Sequence, residues 1–135
     1  MRKKTSLGTF VVCLVVSLAA RAHHSSAIFD PNSPVSITGT VTRMEWTNPH
    51  ARLYVETRGP GGTSVEWEFE LPAVNRLLRL HWTRHALQAG DQVTVTGARA
   101  RHYPNIAVAL NVIDATGRKL FVGTPGATER AAQNE

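Results

Sequence analysis

The chain has 135 residues, with 15 Lys+Arg against 10 Asp+Glu, six His and a single Cys, giving a formal net charge of +5. That length suits one domain with a single core. The charge excludes less than it suggests, because four of the basic residues (Arg2, Lys3, Lys4 and Arg21) lie in the first 22 positions. Arg2-Lys3-Lys4, the apolar run from Phe10 to Leu18 and then Ala20-Arg21-Ala22 form a secretory signal-peptide pattern, residues 1–22, with cleavage after Ala22. The run is too short to span a bilayer comfortably, so no permanent membrane anchor is expected after cleavage. The remaining 113 residues carry eleven Lys+Arg against ten Asp+Glu, a net +1 without the clustered basic face typical of nucleic-acid binding. Near-neutral charge and export together predict no nucleic-acid partner. Cys13 leaves with the signal, so packing rather than disulfides must hold the domain.

After the signal, residues 23–34 read as an N-terminal arm: His23-His24-Ser25-Ser26, then Ile28-Phe29, then the turn-rich Asp30-Pro31-Asn32-Ser33-Pro34. The barrel domain is expected over residues 35–122. Val35, Ile37 and Val41 alternate with Ser36, Thr38, Thr40 and Thr42, which predicts a first strand. Gly39 marks a place where that strand bends or another backbone comes close. Thr47-Asn48-Pro49 then turns the chain and leaves His50 at the rim.

Leu53 and Val55 alternate with Arg52, Tyr54 and Glu56 in a second strand, and Arg58–Gly62 break the chain in a glycine-rich turn. Val65, Trp67 and Phe69 alternate with Glu66, Glu68 and Glu70, a third strand with one apolar and one acidic face. Three carboxylates in strict alternation predict a wet outer face, balanced across strands by Arg43, Arg52 or Arg99. Pro72 with Val74, Leu77 and Leu78 predicts a short helix over residues 72–80. Thr83 is placed to cap a second helical turn through Leu87. Residues 91–97 read as a fourth strand, residues 99–105 as a basic loop with His102, and residues 106–112 as a fifth strand. Residues 120–122 add a short pairing segment, and residues 123–135 a flexible tail.

Three strands, a helix and two strands is the order of the oligonucleotide/oligosaccharide-binding barrel, and Leu87–Gly97 resembles the approach to its fourth strand. The expected fold is therefore all-β with one or two short helices, a five- to six-stranded OB-like Greek-key barrel; a small β-sandwich is the alternative. The motifs AHHS at residues 22–25, EWTNPH at 45–50, WEFE at 67–70 and GRKLF at 117–121 resemble a family of small exported bacterial proteins of unknown function. That resemblance implies export, to a bacterial periplasm, and a barrel, with no activity to carry over.

Two kinds of site follow from the residues. Cleavage after Ala22 exposes His23, whose amine and imidazole can chelate one metal ion in half of a histidine brace, and imidazoles suit copper. The candidate ligands are His23, His24, His50 and His102. His81 and His85 have i,i+4 spacing but lack the Glu after the first His that a zinc-protease helix requires. Met44 and Trp46, two residues apart, are similar to the His/Met/Trp copper(I) site of a periplasmic chaperone, although the mature chain offers only one methionine. The alternative is a metal-free interaction domain that holds a protein, peptide, glycan or other small ligand on a face that includes Met44, Trp46, Tyr54 and the loop at residues 99–105; a copper-dependent oxidase with an N-terminal histidine brace comes third, because such enzymes resemble sandwiches more than this barrel. No hydrolase or nucleotide-binding motif is present.

Overall fold

The structure is a computed structural model and describes residues 28–123. Six strands and one short helix follow in chain order: β1 (Phe29–Glu45), β2 (Arg52–Arg58), β3 (Ser64–Glu70), α1 (Val74–Arg79), β4 (Gln92–Ala100), β5 (Ile106–Asp114) and β6 (Lys119–Val122). β1 pairs antiparallel with β4 along its first two thirds and with β2 along its last third. β2 pairs with β3, and β4 with β5. The parallel pairing of Glu68–Glu70 with Ile106–Val108 joins β3 to β5 and closes the ring. The order around it is β1-β2-β3-β5-β4, with β6 added beyond on β5. This is the OB-like barrel, and ring closure removes the sandwich alternative.

One strand serves two neighbours because Gly39 lets it. A Cβ at Gly39 would lie 2.2 Å from the Glu56 carbonyl oxygen, so a side chain is incompatible with the crossing of β1 over β2. Just beyond, the β1–β2 register slips between Val41 and Arg43, which marks a β-bulge at Thr42. Bulges increase local twist, and a tightly curved small barrel needs it.

Alternation fills the interior with Val41, Leu53, Val55, Trp67, Phe69, Val93, Val95 and Val112. Leu77 of α1 is fully buried and joins the same core cluster. The helix is stopped by His81 in the left-handed region (φ 63°). His81 N donates to the Leu78 carbonyl and Trp82 N to the Leu77 carbonyl, a Schellman ending in which buried Trp82 follows buried Leu77. The Trp82 indole N–H donates to the Leu120 carbonyl, and its ring meets Phe121 edge-on, tying the helix end to β6.

Several expected boundaries differ. β1 starts at Phe29 rather than residue 35, so part of the expected arm is strand. The turn-rich Asp30–Pro34 stretch forms a register irregularity, with the Asp30 carboxylate accepting from Asn32 N and Ser33 Oγ. The helix covers Val74–Arg79 instead of 72–80. The second helical turn at 83–87 is a hydrogen-bonded turn in which Ala86 N donates to the Thr83 carbonyl and His85 N to the Thr83 hydroxyl. β4 runs to Ala100, which shortens the expected loop to 101–105. The expected signal peptide, residues 23–27 of the arm, and the tail beyond Gly123 lie outside the described residues.

Candidate functional site

On β1–β3 the outward positions carry a dense set of charges whose partners are fixed by register. Arg43 stands opposite Tyr54, Arg52 opposite both Glu45 and Glu70, and Tyr54 opposite Glu68. The bulge at Thr42 directs two consecutive side chains toward Glu66, two strands away. Thr42 Oγ1 donates to Glu66 Oε2 at 2.8 Å, and Arg43 Nη1 donates to Glu66 Oε1 at 3.0 Å. To get there the Arg43 side chain crosses β2 and lies over the Tyr54 ring, with Cζ 3.4 Å from the centroid. Arg43 Nε also faces Glu45 at 3.7 Å, and Arg52 links Glu68 (2.9 Å) to Glu45 (3.6 Å). The result is one ladder of three carboxylates and two guanidiniums.

Local environment separates these groups electrostatically. Thr42's hydrogen bond and Arg43's charge hold the Glu66 carboxyl below its usual range, against a smaller opposing effect of burial. Burial pushes the Glu70 carboxyl up, with the charges of His50 and Arg52 opposing. Burial also raises Tyr54, which is 8% exposed because Arg43 covers it. For Arg43 itself desolvation acts downward, but the bonds to Glu66 and Tyr54 outweigh it and keep the guanidinium firmly charged.

Two loops border the face, and both are anchored to β3. In the β1–β2 loop, Thr47 Oγ1 donates to the His50 carbonyl, and Asn48 Oδ1 accepts from Val74 N, capping a helix whose own N-cap residue, Ala73, offers no side-chain acceptor. Ala51 N donates to the Pro72 carbonyl, and the Ala51 carbonyl accepts from Leu71 N. His50 Nδ1 then lies 3.4 Å from Glu70 Oε1 at the end of β3. On the other side, Glu68 N donates to the Asn105 carbonyl of the β4–β5 loop, whose Tyr103 is 56% exposed. Arg101 N of that loop donates to the Ile28 carbonyl, beside the start of β1.

Two of the four candidate ligands, His50 and His102, are among the described residues, and they lie on different loops. His50 sits at the rim, as its turn implies, but its Nδ1 faces Glu70; His102 is exposed on the other loop. His23 and His24 lie outside the described residues. Among the described residues, no group of three or more His, Cys, Asp or Glu is arranged to hold a metal ion. Met44 and Trp46 are partly buried and pack against the core, so of the expected ligand face only Tyr54 belongs to this ladder. Arg99, expected to balance the glutamates, instead lies 5.0 Å over the Trp67 ring. His81 terminates α1, which explains it without any partnership with His85.

What sequence reading misses is the stack of Arg43 on Tyr54. Simple alternation places Tyr54 in solvent, and the bulge that brings Arg43 over it has no marker in the surrounding residues. The only signal is the opposition of charges on neighbouring strands.

Residues 11–107 match a family of unknown function, DUF6152. No curated protein matches the chain in sequence. Among solved structures, the chain is similar to Rim1, a mitochondrial single-stranded DNA binding protein from S. cerevisiae, at 15% identity and a TM-score of 0.47; the match covers 69% of this chain and 98% of that one. It is also similar to the S. pombe Stn1-Ten1 complex, at 14% identity and a TM-score of 0.42, covering 76% of this chain and 67% of that one. One expectation is corrected here. Nucleic acid was set aside on net charge and export, yet the similar structures include a single-stranded DNA binding protein, and the exclusion is withdrawn. The physical reason is that a whole-chain charge does not report what one face and its loops present.

Proposed function

This chain belongs to the DUF6152 family of unknown function, and we propose that it is an exported, periplasmic binding module that holds its partner on the outer face of β1–β3. The observation that carries the reading is the convergence of two loops and a charge ladder on one strand. His50 reaches Glu70, Asn105 accepts from Glu68, and Arg43 crosses β2 to reach Glu66, all on β3. In barrels of this architecture the second and third strands, flanked by the β1–β2 and β4–β5 loops, form the ligand face. The ladder fixes side chains that would otherwise lose conformational freedom on binding, and a preorganised surface binds at lower entropic cost. The basic start, apolar run and Ala20-Arg21-Ala22 support export.

A photo-crosslinking residue placed at Glu68 should trap a partner in the native compartment, whereas one at Ala115, in the β5–β6 turn, should not. Crosslinks from Ala115 alone would refute the assigned face. Mass spectrometry of the exported protein should find His23 at the N-terminus; an intact Met1 would refute export.

A further inference from the structure

Arg43 is unusual in what it leaves free. A guanidinium offers two kinds of surface: a rim of N–H donors for carboxylate or phosphate, and two flat faces for aromatic rings. Here part of the rim is engaged, since Nη1 donates to both Glu66 oxygens (3.0 and 3.2 Å) and Nε faces Glu45 at 3.7 Å, an ion pair without a hydrogen bond. One flat face is engaged as well, on Tyr54 at 3.4 Å. The Arg43 side chain nevertheless stays 49% exposed, whereas Tyr54 beneath it is 8% exposed. What remains open to a ligand is the outward flat face of a cation already fixed in position. An incoming anion would meet the negative charge of Glu66 and Glu45 already beside the rim, while an incoming ring meets a flat face and displaces nothing.

Resting on the face assigned above, we propose that Arg43 is a stacking platform that receives an aromatic side chain of a partner polypeptide, sandwiching the guanidinium between that ring and Tyr54. The charge around the platform favours a polypeptide over other ring-bearing chains. Glu45, Glu66 and Glu68 outnumber Arg43 and Arg52 on the ladder, with Glu70 beside it at the end of β3 and Glu56 exposed next to it on β2. Basic residues flanking the aromatic one complement that surplus, whereas a phosphate backbone brings more negative charge to it. An exposed cation–π contact corresponds to a two- to fivefold preference, so the platform selects the ring and the surrounding carboxylates add the rest.

The test uses the full chain labelled with 15N and three probes: the peptides Lys-Lys-Trp-Lys-Lys and Lys-Lys-Leu-Lys-Lys, and a dT10 oligonucleotide. The Trp peptide should saturate shifts at the Arg43 side-chain Nε–H and at the Thr42 and Tyr54 amides, and bind about three- to fivefold more tightly than the Leu peptide. Arg43→Lys, which keeps the charge but not the plane, should bring the ratio of the Trp peptide's affinity to the Leu peptide's down to about one. Glu66→Gln, which loosens the clamp without changing side-chain size, should reduce it in the same direction. Equal binding of the two peptides on this face overturns the platform and leaves the assigned face intact. Shifts confined to other surfaces, or none, overturn both. Tighter saturation of the same resonances by dT10 overturns the polypeptide as the occupant.

Discussion

Replacing Gly39 with Ala tests whether the barrel depends on the crossing of β1 over β2. The added methyl would stand 2.2 Å from the Glu56 carbonyl oxygen and 2.9 Å from Val55 Cγ1. A comfortable carbon–oxygen contact is about 3.3 Å, so the backbones must part by roughly 1 Å. That opening takes the neighbouring Thr40–Glu56 ladder pair past bonding distance and weakens the Thr57 hydroxyl bond to the Thr38 carbonyl. Two to three bonds at about 1 kcal/mol each, less about 0.5–1 kcal/mol recovered from a stiffer unfolded chain, leave a net loss of about 2 kcal/mol. For a domain of this size the melting temperature should fall by about 8–16 °C, followed by circular dichroism on the full chain. Hydrogen exchange should quicken at the amides of Val55–Thr57. Gly39 does not occupy the left-handed region, so the loss is steric rather than conformational. Gly61→Ala is the converse case: φ is 71° with no atom within 4 Å of the new methyl, so its cost of about 1 kcal/mol should leave exchange on β2 unchanged. An unaltered melting temperature for Gly39→Ala would refute the reasoning.

Leu77→Ala empties a fully buried site where α1 meets the core and should cost about 2–5 kcal/mol by denaturant titration, whereas Leu78→Ala, 54% exposed, should stay within about 0.5 kcal/mol. His81→Gly relieves a left-handed residue and should stabilise the protein by about 0.5–1 kcal/mol; a loss on thermal melting would mean that the imidazole has a task of its own. The Thr116 hydroxyl, with Arg118, holds the Asp114 carboxyl down to about 2 from an ordinary 3.8. Its contribution is present above 3.8 and lost as pH falls through about 2, so Asp114→Asn should be less stable than wild type near neutrality, with the difference closing across that window in acid titration. Glu70 runs the other way: its raised pKa means that wild type loses stability as pH rises through the folded value. Denaturation midpoints for Glu70→Gln should therefore shift in the variant's favour relative to wild type as pH rises from 4.5 through that folded value.

Much of the barrel is legible because period-two alternation is a strong signal when one face is buried. Val65-Glu66-Trp67-Glu68-Phe69 reads as a strand with one acidic face, and the structure buries Trp67 and Phe69 while Glu66 and Glu68 meet Arg43 and Arg52. Gly39 is legible for a related reason, since an isolated glycine in such a pattern implies close approach. The start of β1 is not legible. Asp30-Pro31-Asn32-Ser33-Pro34 has the composition of a turn, and only pairing with β4 on both sides makes it strand. The site is less legible than the fold because its contacts are not local. His50 is delivered to the rim by its own turn, but its partner Glu70 is fixed by the pairing of β2 with β3. Met44 and Trp46 are ambiguous in the sequence because binding sites and barrel ends use the same residue types, and here both are partly buried against the core.

The bulge at Thr42 connects the two levels. Were β1 to continue from Val41 in regular alternation, with Thr42 paired to Tyr54, Arg43 would fall opposite Leu53 on the inner face, since shifting a strand by one position reverses every side chain. The register on the β4 side, Thr40 with Gln92, and on the β2 side, Met44 with Leu53, can both be kept only if one residue between them is unpaired. Curvature thus demands an insertion, and the insertion sets Thr42 and Arg43 side by side toward Glu66. The feature that lets β1 bend around a small barrel is therefore also the one that lays a guanidinium across Tyr54. A register that paired Thr42 with Tyr54 would turn Arg43 inward and lose the ladder even with every one of its side chains retained.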